Sequence, residues 1–156
     1  MKTLIIYATK KGSTKKVAEI IANKINGAGL HDINSGGAVS LKDYDCVILG
    51  SFLTAGFVNK EIKNFALKYN TDLQNKKLGI FLSGLDANGE EGYLKKNFPE
   101  DLLNKAEAKA FLGGIFDPEK CGFLARKIIK TVSGQASYTS TIDEEKIESF
   151  VQALLK

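Results

Sequence analysis

The sequence predicts an α/β fold: a doubly wound parallel sheet of five strands in the order 2-1-3-4-5, with helices on both faces. Three observations predict it. Short apolar runs rich in Ile, Leu and Val alternate with stretches of helical periodicity along the whole chain. The strongest of these runs lack polar alternation, the mark of strands covered on both sides. No repeat or linker interrupts the pattern, and 156 residues suit one domain, expected over residues 1–156.

Residues 2–8 form an apolar run read as a buried strand, and 13–25 carry a helical stripe of Val17, Ile20, Ile21 and Ile25. Gly27, Gly29, Gly36 and Gly37 then break the chain, leaving 31–34 room for only a short strand near a sheet edge. Residues 45–51 are a second buried strand. Asn59 is placed to cap a helix bearing Ile62, Phe65, Ala66 and Tyr69. Residues 77–83 are a third strand, and 86–97 read as a polar loop or irregular helix start. Pro99 fits the first turn of a helix through Leu102, Leu103 and Ala106. Residues 108–116 are expected as one further strand. Residues 121–132 form a basic amphipathic helix that Gly134 would end. Thr141 and Glu144 make a capping-box pattern before a helix bearing Ile147, Phe150, Val151, Leu154 and Leu155.

Composition narrows the function. The chain is 44% hydrophobic and 26% charged, with 2 prolines and no tryptophan, which excludes a disordered or fibrous protein. No apolar run approaches the roughly 18 residues of a membrane span. Residues 4–8 are too short for a signal-peptide core, so a cytoplasmic location is expected. Cys46 and Cys121 are far apart and His31 is the only histidine. That disfavours a zinc site, a disulfide framework and triad hydrolysis, and two reduced thiols are expected. The net charge of +4 is concentrated: residues 1–27 hold six lysines and one acid, Glu19. Such a cluster around a loop attracts an anionic ligand. No basic-aromatic stripe supports nucleic acid as a partner.

In doubly wound sheets ligands bind beyond the carboxyl ends of the strands. The loops after Ala8, Ser51, Ser83 and Phe116 are therefore the ones to inspect. The first reads Thr9-Lys10-Lys11-Gly12-Ser13-Thr14 and opens a helix. It is neither a Walker loop nor GxGxxG, but its hydroxyls and helix N-terminus suit a terminal phosphate. A Ser/Thr-rich helix cap explains the same residues equally well. An acidic receiver pocket is excluded, because Ala8-Thr9 and Gly50-Ser51 stand where the carboxylates would be.

Thr9-x-x-Gly12-x-Thr14 after a first strand resembles the FMN phosphate loop of the flavodoxin family, and the likeness extends over nearly the whole chain. The resemblance implies a flavodoxin-like fold with FMN as cofactor, and Thr9 to Thr14 around its phosphate. It implies that Ser51, Phe52, Leu53, Thr54, Ala55 and Gly56 flank the flavin ring, with a peptide at Gly56 able to reorient. Ser83, Gly84, Leu85 and Asp86 would meet the ring's other side. Tyr93 would either stack on the ring or belong to a helix core. Asp86, Glu90 and Glu91 give this rim negative charge, which lowers a flavin's reduction potential.

Residues 113–118 and 121–134, with Phe57-Val58-Asn59-Lys60-Glu61-Ile62, are similar to the branch containing menaquinone-dependent protoporphyrinogen oxidases. The chain shows no obvious room for that branch's long insertion before the last helices. Its basic balance also departs from acidic electron-carrier flavodoxins. The implied function is electron transfer through FMN; the alternative is an FMN-dependent oxidoreductase of the protoporphyrinogen- or quinone-linked type. The implied partner is a redox protein or a small-molecule or quinone acceptor. The helix over 121–132 is expected to cover the sheet with Phe123, Leu124, Ile128 and Ile129. Otherwise its basic face makes weak peripheral contact with a membrane or an acidic partner.

Overall fold

The computed structural model describes residues 1–133 and 137–156. Its elements run β1 (Thr3–Ala8), α1 (Ser13–Lys24), β2 (Gly29–Asp32), β3 (Cys46–Thr54), β4 (Phe57–Val58), α2 (Lys60–Lys68), α3 (Asn70–Gln74) and β5 (Lys77–Ser83). There follow α4 (Glu90–Asn97), α5 (Glu100–Lys105), β6 (Ala108–Phe111), β7 (Ile115–Phe116), α6 (Phe123–Ser133), β8 (Thr139–Ser140) and α7 (Glu144–Leu155). Five parallel strands pair in the order β2-β1-β3-β5-β6, the predicted topology.

The alternation of side chains along β1 assigns the helices to faces. Leu4, Ile6 and Ala8 point to a core shared with Ile62 and Phe65 of α2, Leu73 of α3, Leu94 of α4 and Leu102 of α5. Ile5 and Tyr7 point the other way, to Val17 and Ile21 of α1 and to Ile147, Phe150 and Leu154 of α7. Gly79 is required on this second face, since a Cβ there would sit 2.9 Å from the Phe150 ring. The register sets Ala8 beside Ser51 and Phe52 beside Ser83, so the loops leaving β1, β3 and β5 share one edge.

Four expectations are corrected. The run 45–51 continues to Thr54 and folds back as an antiparallel hairpin with β4, because Ala55 (φ 51°) and Gly56 (φ 79°) supply the left-handed pair of a two-residue turn. Residues 108–116 are not one strand. The sheet strand stops at Phe111, Gly113 (φ 82°) turns the chain away, and β7 pairs only with β8. Asp143, not Thr141, caps α7, its carboxylate accepting the Lys146 N–H at 2.9 Å; the Thr141 hydroxyl instead accepts the Gly114 N–H.

The fourth correction concerns the basic helix. α6 lies on an excursion, residues 117–138, for which the sequence showed no obvious room. Phe123, Leu124 and Ile128 are 78%, 74% and 61% exposed rather than laid on the sheet. The physical reason is occupancy: α1 and α7 already cover one face of the sheet and α2 to α5 the other. The expected terminator of this helix, Gly134, lies outside the described residues, as does the side chain of Ile129. Among the described residues, no helix is long and apolar enough to cross a membrane.

Candidate cofactor site

The loops at the carboxyl edge surround a cavity of about 1070 Å³. Gly12 (φ 90°) turns the chain from β1 into α1, and its N–H donates to the Thr9 hydroxyl at 3.0 Å. Thr9 thus closes the loop on itself. The Ser13 hydroxyl accepts the Ile115 N–H at 2.8 Å and lies 3.2 Å from the Ser83 hydroxyl. The Thr14 hydroxyl is buried and has no hydrogen-bond partner among the described residues. Of the three hydroxyls expected to face a phosphate, two therefore shape the loop and one stands unused at the helix N-terminus.

The backbone converges tightly around Ser13. A Cβ on Gly114 would lie 2.9 Å from both the Ser13 hydroxyl and the Gly84 carbonyl. The Gly84 N–H also donates to the Gly113 carbonyl at 3.2 Å. The loops after β1, β5 and β6 are knitted together before any ligand is present.

The β3–β4 hairpin forms the second wall. Buried Asn97 holds it from below: its amide donates to the Gly56 carbonyl at 2.9 Å and accepts the Val58 N–H at 3.0 Å. The Tyr93 ring packs against Gly56, where a Cβ would lie 3.4 Å away. Lys96 Nζ lies 3.6 Å from the centroid of the Phe57 ring. The Gly56 carbonyl is thus already engaged, and a peptide reorientation there would have to break a hydrogen bond to a buried amide, worth about 1 kcal/mol.

Of the residues expected to hold the cofactor, Lys11, Gly12, Ser13, Leu53, Ala55, Gly56, Gly84, Leu85, Asp86 and Tyr93 line the cavity. Thr9, Lys10, Thr14, Ser51, Phe52, Thr54 and Ser83 do not line it. Ser51 instead accepts the Asn59 N–H at 2.9 Å, fixing the start of α2. Phe52 packs against the core, and Thr54 pairs with Phe57. Of the acidic rim only Asp86 reaches the cavity; Glu91 pairs with Lys95 at 2.6 Å on the surface of α4.

Sequence reasoning marked the loop after Phe116 for inspection but named none of the residues of the third wall as site residues. Ile115, Phe116, Asp117, Lys120, Cys121, Ile128 and Tyr138 come from β7 and the excursion, and Phe111 from the end of β6. It also missed Lys15, Lys16 and Glu19 on α1. Only the lysine excess of the first 27 residues hinted at the last group. Nothing in the sequence separated the excursion from a sheet-covering helix. The two thiols differ: Cys121 opens on the cavity, whereas burial pushes the Cys46 thiol up to about 11.

These features fit FMN. The left-handed turn at Gly12 and the N–H groups of the helix start, at the cavity's edge, suit a phosphate dianion. The apolar walls, with Tyr93 and Tyr138, suit a flat aromatic ring.

The comparisons agree with the architecture. The flavodoxin of Streptococcus pneumoniae TIGR4 superposes with a TM-score of 0.61 at 16% identity, over 99% of this chain and 98% of that one. Flavodoxin 2 from Bacillus cereus gives 0.59 at 23% identity, over 99% and 98%. Protoporphyrinogen IX dehydrogenase [quinone] of Escherichia coli K12 is 23% identical over 129 residues, 80% of this chain and 68% of that protein. The model of the flavodoxin domain matches residues 4–143, nearly the whole chain, so the chain belongs to the flavodoxin domain family, whose cofactor is FMN.

Proposed function

We propose that this chain holds FMN non-covalently in the cavity and passes electrons between it and a second redox partner. The observation that carries the reading is the convergence of the loops after β1, β3 and β5 on one cavity, with the start of α1 at its edge. When bound, the flavin supplies the redox chemistry. The protein's residues bind and orient it. The turn at Gly12 and the first turn of α1 take the phosphate, and Leu53, Gly56, Leu85 and Tyr93 bracket the ring. Asp86 places negative charge beside it. The knitted backbone around Ser13 fixes these groups before binding, which limits the ordering cost.

A second reading, oxidation of a small molecule or quinone over the flavin, is favoured by the third wall. The cavity is slightly above the roughly 300–1,000 Å³ common for ligand sites. Ile115, Phe116, Ile128 and Tyr138 extend it with apolar side chains. The likeness to the E. coli dehydrogenase supports the same reading. The proposed partner surface is α6, whose exposed Phe123, Leu124 and Ile128 sit among Arg126, Lys127 and Lys130, a composition suited to an anionic membrane surface.

The test is the absorbance spectrum of the purified protein and identification of the released chromophore. Flavin bands with FMN released on denaturation support the reading; a colourless protein that takes up no added FMN refutes it. Steady turnover of a quinone by the loaded protein would favour the second reading over simple electron carriage.

A further inference from the structure

We infer that Lys120, carried by the excursion, closes over the phosphate of the bound flavin nucleotide and holds the excursion's residues 117–133 against the sheet. The inference rests on the FMN reading and goes beyond it, because the phosphate loop of the first strand contains none of these residues.

Four observations lead here. Lys120 Nζ lies 3.9 Å from where a Cβ on Gly12 would stand, directly against the turn that opens α1. Its facing carboxylate, Asp117, is 3.9 Å away, too far for a hydrogen bond. The other oxygen of Asp117 is engaged in accepting the Glu119 N–H at 3.1 Å. The excursion also carries a net positive charge: its two acids, Asp117 and Glu119, precede Lys120, and residues 120–142 contain four bases and no acid.

The charge balance gives the ammonium a purpose. Four lysines and three carboxylates line the cavity. Without Lys120, a phosphate dianion would bring the site to −2; with it the site stands at −1. An ammonium 60% exposed contributes modestly against one charge. Against a dianion at a helix start it adds to the N–H groups already pointing there.

The consequence is mechanical as well as electrostatic. Lys120 lies three residues before α6, and Asp117 and Cys121 beside it line the same cavity. Engaging the phosphate therefore seats the third wall, which riboflavin, lacking a phosphate, cannot do.

The experiment compares FMN and riboflavin binding by calorimetry in wild type, Lys120→Gln, Lys120→Arg and Lys15→Gln. Lys15→Gln makes the same charge change on the same cavity without approaching Gly12. The expected result is a roughly three- to ten-fold loss of FMN affinity in Lys120→Gln, retained affinity in Lys120→Arg, and unchanged riboflavin binding. A second readout is tryptic cleavage after Arg126, Lys127 and Lys130. FMN should slow it in wild type, riboflavin should not, and Lys120→Gln should remove the protection. Equal losses in Lys120→Gln and Lys15→Gln, or protection by riboflavin, would overturn the inference while leaving the cofactor reading intact. A wild type that binds neither flavin would overturn both.

Discussion

Replacing Gly113 by alanine should be among the most damaging single-methyl additions in this protein. Its φ of 82° lies in the left-handed region, which costs an alanine about 1–2 kcal/mol. The steric clash costs more. The added Cβ would lie 1.9 Å from the Thr141 carbonyl oxygen, 2.4 Å from its carbon and 2.8 Å from the Ile142 Cα. These are backbone atoms, so no rotamer change relieves the clash, and residues 141–142 must move away. That motion breaks the bond from the Thr141 N–H to the Gly114 carbonyl (2.8 Å) and the one from the Gly114 N–H to the Thr141 hydroxyl (3.1 Å). It also strains the bond from the Asp143 N–H to the Leu112 carbonyl (3.2 Å). At about 0.5–1.5 kcal/mol each the three bonds add about 1.5–4.5 kcal/mol, for a total of about 2.5–6.5 kcal/mol with the backbone cost. Gly27→Ala is the control: its φ is 75° but nothing lies within 4 Å of the added Cβ, so only the left-handed backbone is penalised. Urea unfolding of both variants, without added flavin, should separate them by about 2 kcal/mol or more. FMN affinity should fall in Gly113→Ala alone, since the Ser13–Ile115 link adjoins the clash. Equal destabilisation of the two variants would refute the steric argument.

Three further outcomes are expected. Thr14→Val removes the buried, partnerless hydroxyl at nearly constant volume, so stability should hold or rise; urea unfolding against wild type decides. Burial raises the Cys46 thiol from 9.0 to about 11, so its stability contribution is complete below pH 9 and lost as pH climbs toward 11, about 2 kcal/mol by pH 10.5. Urea unfolding at pH 8.5 and 10.5 should show that fall in wild type and a smaller one in Cys46→Ala. Co-sedimentation with anionic vesicles at low salt should capture wild type and not Arg126→Glu/Lys130→Glu, and high salt should release it, since the Debye length shrinks from about 10 Å at 0.1 M to 3 Å at 1 M; no capture at low salt excludes the membrane as the partner of α6.

The sheet was legible because its strands are apolar on both faces and its helices carry complete stripes. Ile62 and Phe65, or Ile147 and Phe150, report burial by spacing alone. The hairpin was less legible. Ala55-Gly56 is a weaker turn signal than Asn-Gly, and Thr54 and Phe57 on either side read equally well as a loop. The break at Gly113 was invisible for a related reason: apolar Phe111, Leu112, Ile115 and Phe116 stand on both sides of two glycines, and apolar character persists when a strand changes partner. In the site, sequence located the loops but not the duties of their side chains. Thr9, Ser13, Ser51 and Ser83 look like ligand hydroxyls, yet each is engaged within the protein: Thr9 and Ser51 by N–H groups nearby in sequence, Ser13 and Ser83 by partners that only tertiary approach brings close. Asn97 gave no signal, because a polar residue at the end of a short polar helix looks exposed until the hairpin descends on it.

That division of duties separates cofactor retention from partner choice. At the phosphate end Thr9 closes its loop and Ser13 bridges two others, so the groups that face the ligand, Gly12 and the first N–H groups of α1, are held by bonds within the protein. Preorganisation of this kind lowers the ordering cost of binding and leaves little tolerance for substitution. The outer wall is built differently. Ile128 and Tyr138 reach the cavity from an excursion that joins the sheet's edge through the β7–β8 pair and the Ser13–Ile115 bond, and both side chains are 61% exposed. Lys120 apart, substitutions there change what meets the flavin's exposed side without touching what binds its phosphate. On the proposed reading, a chain arranged this way can alter its redox partner by changing residues 121–133 and 137–138 while keeping the same cofactor, because the two tasks share a cavity but draw on different hydrogen bonds.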